Sequence, residues 1–162
     1  MQRREFIALL GGAAAAWPLA ARAQQPEQVR RIGVLMPFAA DNPQYQVRTE
    51  AFVRGLLQLG WISGRNVRID YRASTGNADE IRRYAMELVA LAPDVILATG
   101  VSTVGPLQQA TRTVPIVFAV VPDPVGAGIV DSLAQPGGNV TGFSTFEYGV
   151  SGKWLELLRA CP

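Results

Sequence analysis

The segment from Pro93 to Val121 constrains the fold most, because it reads as a strand, a loop, a helix and a second strand. Residues 95–98 form a short apolar run rich in β-branched side chains, which is typical of a parallel strand buried on both faces. A second run of this kind begins after Pro115. Because such units pack right-handed, the loop from Thr99 to Thr103 is predicted to lie at the carboxyl edge of a sheet. Free N–H groups at the helix start would favour a small anionic group there.

Strands and helices alternate along the rest of the chain. The predicted strands cover residues 31–37, 67–72, 95–98, 116–121 and 140–144. The predicted helices cover residues 43–59, 79–92, 102–111, about 125–134 and 149–160. This alternation predicts an α/β fold, a three-layer sandwich with a mostly parallel five-stranded sheet in the order 2-1-3-4-5.

The helix after Thr99 is predicted to begin near Ser102 and Thr103, because both side chains can act as N-caps. Pro106 would then fall in the first helical turn, where proline is tolerated. Similarly, Asp41 or Asn42 is predicted to cap the helix that follows the first strand.

The carboxyl edge of the predicted sheet is the expected ligand site. In such sheets, ligands bind outside the strand ends, where neighbouring connections depart to opposite faces. The rule selects three loops, whose candidate contacts are Phe38, Ala39, Thr99, Gly100, Ser102, Thr103, Val121 and Asp123. The helix start favours a carboxylate and Asp123 favours an ammonium group, so an amino acid would satisfy both.

These candidate contacts also have plainer interpretations. Ser102 and Thr103 are residues that commonly cap helices without touching a ligand. Asp123 lies between two prolines and can simply stabilise a turn. Phe38 is either a stacking wall for a ligand or a partly buried loop aromatic. The sequence leaves these alternatives open.

The first 23 residues form a separate unit. Arg3 and Arg4 lie in a short charged segment, an apolar run follows, and Ala21 and Ala23 form a small-x-small cleavage site. The apolar run is shorter than the roughly 20 residues of a membrane span and is broken by Pro18. We therefore predict an export signal cleaved near Ala23, of the twin-arginine or the general secretory type. No stable membrane span is expected after its removal.

The net charge depends on this signal. Residues 1–23 contain Arg3, Arg4 and Arg22 but only one acidic residue, Glu5. The whole chain carries 15 basic and 13 acidic residues, so the mature protein is predicted to have no net charge. This balance gives no indication of nucleic-acid binding.

Catalytic and metal-binding residue types are scarce. The chain contains no histidine and one cysteine, Cys161, which excludes Ser-His-Asp and Cys-His arrangements, the usual zinc ligand sets and an internal disulfide. The segment from Gly126 to Asp131 resembles half of a dinucleotide fingerprint, with Asp131 in place of the third glycine. We expect no cofactor, no bound metal and no enzymatic activity.

Several motifs along the mature chain together resemble one family of exported proteins. They are RIGVL at 31–35, AFVRGLLQLGW at 51–61, GRNV at 64–67, LAPDVI at 91–96, VPIVF at 114–118 and PGGNVTG at 136–142. In combination they resemble the ABC-transporter substrate-binding proteins of the tryptophan/tyrosine-binding type. Those proteins are similar to the type I periplasmic binding proteins.

The resemblance implies two lobes that close on a small-molecule solute in the periplasm and deliver it to an inner-membrane ABC permease. It places ligand contacts at Phe38 and its neighbours, at residues 99–103 and at residues 121–123. Because family members are about twice this long, it also implies a truncated form. Residues 24–145 would be the N-terminal lobe, and residues 146–162 a helix leading to a missing second lobe. The alternative is an exported α/β module for sensing or protein interaction, without a transport role.

Overall fold

The computed structural model describes residues 29–146 and residue 159. Its strands are β1 (Arg30–Met36), β2 (Val67–Ala73), β3 (Val95–Thr99), β4 (Ile116–Pro122) and β5 (Val140–Phe146). Its helices are α1 (Pro43–Gln58), α2 (Ala78–Ala90) and α3 (Val101–Ala110). The predicted export signal and the predicted helix over 149–160 fall outside the described residues, except Arg159, which is helical and exposed.

The five strands form one parallel sheet in the order β2-β1-β3-β4-β5. The predicted fold class and strand order are therefore confirmed. In the centre of the sheet, Leu35 of β1 lies opposite Ala98 of β3, and Thr99 lies opposite Ala119 of β4. Because all strands run in the same direction, their carboxyl ends lie along one edge.

The main hydrophobic core lies between the sheet and helices α2 and α3. Alternate strand positions direct apolar side chains to this face, and the helices meet them with one apolar side. The buried members of this core are Leu35, Ile81, Ala85, Leu88, Ile96, Ala98, Val104, Leu107, Ile116, Phe118, Val121, Ile129, Val130 and Val140.

Helix α1 connects β1 to β2, and this connection crosses the sheet in the direction opposite to those that contain α2 and α3. Right-handed crossover therefore places α1 on the other face of the sheet. As predicted, Asn42 caps it: the Gln44 N–H donates to Asn42 Oδ1 at 2.8 Å. No residue of α1 is fully buried, so this helix packs less closely than α2. None of the helices in the described segment is long and apolar enough to cross a membrane.

An arginine and two aspartates join three strands at the amino edge of the sheet. Arg31 Nε donates to Asp70 Oδ2 at 2.7 Å, and its Nη1 donates to the Leu91 carbonyl at 2.9 Å. The Arg31 N–H donates to Asp94 Oδ2 at 2.8 Å. The hydrogen bond from Arg31 lowers the pKa of Asp70, against the opposing effect of burial. This network holds the strand starts in register, away from the predicted ligand edge.

The prediction of a helix over about residues 125–134 is wrong, because the chain makes successive turns there. A single helical turn forms when the Ala127 N–H donates to the Asp123 carbonyl at 3.0 Å. Gly128 then takes a positive φ of 67°, a left-handed conformation that ends helices. Two glycines within three residues also make a helix unfavourable here.

Candidate ligand-binding site

The three loops selected from the sequence meet at the carboxyl edge. The Gly100 N–H donates to the Ala119 carbonyl at 3.0 Å, which joins the ends of β3 and β4. A Cβ atom placed on Gly100 would lie 3.6 Å from Pro37 Cγ, so the loops after β1 and β3 are close neighbours. The fold therefore satisfies the topological condition for a shared site.

The loop after β1 presents an aromatic ring paired with a cation. Phe38 is half-buried, and the guanidinium carbon of Arg48 on α1 lies 5.2 Å from its ring centroid. Ala39 is half-buried and accepts a hydrogen bond at its carbonyl from the Asn42 N–H at 3.0 Å. Sequence reasoning identified Phe38 and Ala39 but missed Arg48.

The start of α3 differs from the prediction. Gly100 is the N-cap, with φ 79° and ψ 160°, and no side chain caps the helix. The N-cap assignment of Ser102 and Thr103 is therefore wrong, and Pro106 lies inside the helix rather than in its first turn. The reason is that Gly100 adopts a positive φ, which glycine tolerates better than other residues, and this turns the chain from β3 directly into the helix.

Thr103 serves the fold of this loop. Its side chain is fully buried, and Oγ1 lies 3.1 Å from the Thr99 carbonyl and 3.0 Å from the Gly100 carbonyl, to which it donates. Ser102, one residue earlier, is exposed at the edge. The exposed hydroxyl thus lies on the surface of the loop, and the buried hydroxyl ties the loop to the helix.

The end of β4 is irregular. Val120 has a φ of 59° and interrupts the pairing with β5 between Ala119 and Val121. Asp123 follows with a φ of 43°, and its Oδ1 accepts a hydrogen bond from the Gly126 N–H at 2.9 Å. Bulges of this kind are common beside functional sites because they change the direction of the chain.

The eight predicted contacts divide by burial. Those with exposed surface are Phe38, Ala39, Gly100, Ser102 and Asp123. Those buried beneath the surface of the edge are Thr99, Thr103 and Val121, with 3%, 0% and 0% exposure. The structure thus brings all eight to one edge, and ligand contact by any of them stays a prediction.

A fourth loop, after β2, also lies at this edge and was missed. The Ser74 N–H donates to the Met36 carbonyl at 3.0 Å, which joins this loop to the end of β1. Glu80 Oε2 accepts hydrogen bonds from the Thr75 N–H at 2.9 Å and the Ser74 hydroxyl at 2.8 Å. These hydrogen bonds lower the pKa of Glu80, and the bond from the Thr75 N–H has the largest effect. The spacing of Asn77, the helix cap, and Glu80 is the capping-box pattern that signals such a loop.

A cavity of about 310 Å³ lies at the other end of the sheet. It is lined by Arg30, Ile32, Leu56, Trp61, Val67, Asp94 and Val95. These residues surround the amino ends of β1 and β3, so the cavity is separate from the carboxyl edge. Within the described part of the chain, no group of three or more His, Cys, Asp or Glu side chains could hold a metal ion.

Comparisons with known proteins agree with the resemblance read from the motifs. Residues 31–161 match the family described as ABC transporter substrate binding protein. The tyrosine-binding protein of Clostridioides difficile strain R20291 is 32% identical over 119 residues, which are 74% of this chain and 34% of that protein.

Solved structures give the same result. The ABC domain in complex with L-Trp from Streptococcus pneumoniae is 32% identical, with a TM-score of 0.65, over 71% of this chain and 38% of that one. The ligand-free, open structure of a Clostridium difficile substrate-binding protein with adhesive properties is 30% identical, with a TM-score of 0.69, over 82% of this chain and 43% of that one.

The chain thus spans between 34% and 43% of the length of these relatives. The family suggested by the motifs is confirmed, because the match to it extends over most of the chain, residues 31–161. That description is of substrate-binding proteins, which agrees with the prediction that the chain is not an enzyme. The chain belongs to the family of ABC transporter substrate-binding proteins.

Proposed function

We propose that this chain is the solute-binding component of an ABC importer and that its solute is an amino acid with an aromatic side chain. The observation that carries the proposal is the composition of the carboxyl edge. An aromatic ring, an exposed hydroxyl and a carboxylate lie there after three neighbouring strands, at Phe38, Ser102 and Asp123. Together they offer one partner for each part of such a solute.

The chemistry of each group supports this assignment. The carboxylate of Asp123 attracts an ammonium group, since a bond between two charged partners is roughly twice as strong as a neutral hydrogen bond. The Ser102 hydroxyl, in the first turn of α3, can donate to a carboxylate that the helix N-terminus also favours. The ring of Phe38 provides an apolar surface for an aromatic side chain.

The relatives support the same class of solute. One is named for tyrosine, and another was solved in complex with L-Trp. Both are 32% identical to this chain, over 74% and 71% of its length. An aromatic amino acid is therefore the first solute to test.

The cellular setting follows from the family and the predicted signal. We propose that the chain is exported through the signal in residues 1–23, acts in the periplasm and presents its solute to an inner-membrane ABC permease. Residues 24–145 would supply one wall of a binding cleft. A single wall encloses only part of a ligand, so residues 24–145 alone are expected to bind weakly, because small-molecule sites usually bury most of the ligand surface.

The test is a titration of the purified protein with L-tryptophan and L-tyrosine, followed by NMR shifts of backbone amides. We expect weak, saturable shifts at residues of the carboxyl edge, and smaller or no shifts with L-leucine or glucose. Shifts confined to the cavity near Trp61, or no saturable shift with any amino acid, would contradict the proposal.

A further inference from the structure

We propose that Arg48 is a specificity-determining residue of this site and that its guanidinium, held over Phe38, pairs with the carboxylate of the solute. This inference rests on the proposed function and names the group of the solute that the β1 side of the edge recognises. It also assigns the orientation of the solute, with its carboxylate between Ser102 and Arg48 and its ammonium group toward Asp123 on β4.

Two contacts place Arg48 at the carboxyl edge. Its guanidinium carbon lies 5.2 Å from the ring centroid of Phe38, which comes two residues after the end of β1. The neighbouring Thr49 hydroxyl lies 3.9 Å from the sulfur of Met36, the last residue of β1. The second turn of α1 is therefore level with the end of β1, and the half-buried Arg48 reaches over the following loop.

Within residues 29–146, the charge of Arg48 is not paired with an acidic side chain. No carboxylate in the described part of the chain lies within ion-pairing distance of it, since the ion pairs found there involve Arg30, Arg31, Arg68, Arg72, Arg82 and Arg83. The positions three and four residues away on α1 are Gln44, Tyr45, Ala51 and Phe52. None of them is acidic, so the helix offers Arg48 no partner of its own.

Position also separates Arg48 from the other uncommitted arginines of residues 29–146. Arg54 lies in the half of α1 that runs toward the amino edge, Arg65 lies in the loop before β2, and Arg112 lies after α3. Each of these segments leads toward the start of a strand. Among these four arginines without an ion pair in residues 29–146, Arg48 is therefore the one that lies beside the candidate contacts.

The ring beneath Arg48 prepares the guanidinium for a carboxylate. Stacking on an aromatic face engages the flat side of the guanidinium and leaves its N–H donors free in the plane. Those donors match the two oxygens of a carboxylate in a bidentate pair. Asp123, on the other side of β3, carries the opposite charge, so a zwitterion is oriented by two charges rather than by one.

The experiment compares L-tryptophan with tryptamine, which lacks the carboxylate, by NMR titration of the full protein and its variants. The wild type should bind L-tryptophan more tightly than tryptamine. Arg48→Met keeps most of the side-chain length but removes the charge. It should lower the affinity for L-tryptophan by about threefold to tenfold and abolish the preference over tryptamine.

Two further variants separate this effect from a loss of structure. Arg54→Met removes a charge from the same helix and should leave both affinities unchanged. Arg48→Lys keeps a charge without the planar fork and should retain part of the preference. Far-ultraviolet circular dichroism and the thermal midpoint should match the wild type in all three.

The outcomes are distinct for the two proposals. If the wild type prefers L-tryptophan and Arg48→Met keeps that preference, the role of Arg48 is wrong while the proposed function stands. If the wild type binds neither compound nor any other amino acid, the proposed function is wrong, and the assignment of Arg48 is overturned with it.

Discussion

Gly142 on β5 lies so close to Phe118 on β4 that no side chain fits between them. The two residues are paired in register. A Cβ atom on Gly142 would lie 2.6 Å from Cγ of the Phe118 ring and would overlap with the Phe118 carbonyl oxygen. Phe118 is 1% exposed and belongs to the main core, so its ring has little freedom to move away. The glycine is therefore required for the edge strand to join the sheet.

Replacing this glycine should destabilise the protein. We expect Gly142→Ala to lower the free energy of unfolding by about 1–3 kcal/mol, the usual cost of overpacking. Urea denaturation measures the change. Gly55→Ala on α1 is the matched control, because a Cβ atom there meets no other atom within 4 Å. It should raise the free energy of unfolding by about 0.5–1 kcal/mol. Equal urea midpoints for Gly142→Ala and the wild type would contradict this close approach of Gly142 to Phe118.

The two neighbouring hydroxyls of α3 should respond differently to substitution. Thr103→Val keeps the shape but removes the proton donated to the Thr99 and Gly100 carbonyls, so we expect a loss of about 1 kcal/mol of stability. Ser102→Ala, at an exposed position, should change stability by less than about 0.5 kcal/mol. Denaturation curves compare the two. A larger loss for Ser102→Ala would show that the roles are reversed.

The topology could be predicted from local features of the sequence. Short apolar runs such as residues 95–98 allow strands but not long helices, and the segments between them have helical periodicity. Right-handed crossover then leaves few arrangements for five parallel strands. Because the strands are parallel, the loops that follow them lie along one edge, which is why the loops of the candidate site were placed together correctly.

Features set by the backbone at single residues could not be predicted in the same way. The start of α3 depends on Gly100, and the loss of a helix over 125–134 depends on the left-handed Gly128. Sequence patterns allow several outcomes at such glycines. Arg48 was missed because its partner, Phe38, is ten residues away and meets it only when the intervening loop folds back. The absence of an acidic residue three or four positions from Arg48 was the available signal.

Acid should destabilise the protein through the network at the amino edge. The pKa of Asp70 is lowered chiefly by the hydrogen bond from Arg31, and that of Asp94 chiefly by the Arg31 N–H. A lowered folded-state pKa means that the ionised aspartate stabilises the fold above the unfolded value of about 3.9. That contribution is lost as the pH falls through the folded pKa. We expect the free energy of unfolding to decline from about pH 4 downward, measured by urea denaturation.

The aspartate responsible can be identified by substitution. Asp70→Asn should reduce stability at pH 7 and flatten the decline below about pH 4, because the ionisable partner of Arg31 is gone. Asp41→Asn is the control, since Asp41 is exposed and forms no ion pair in the described part of the chain. Its curve should follow the wild type. An unchanged pH dependence in Asp70→Asn would exclude Asp70 as a source of acid lability.

Asp123 should contribute to solute binding through its charge and to the loop through its turn. Asp123→Asn retains an oxygen for the Gly126 N–H and tolerates the φ of 43°, because asparagine favours the same conformation. We therefore expect an intact fold and an affinity for L-tryptophan lower by about threefold to tenfold. Indole-3-propionate, which lacks the ammonium group, should bind the variant as well as or better than the wild type. A loss that is equal for both compounds would assign Asp123 to the turn alone.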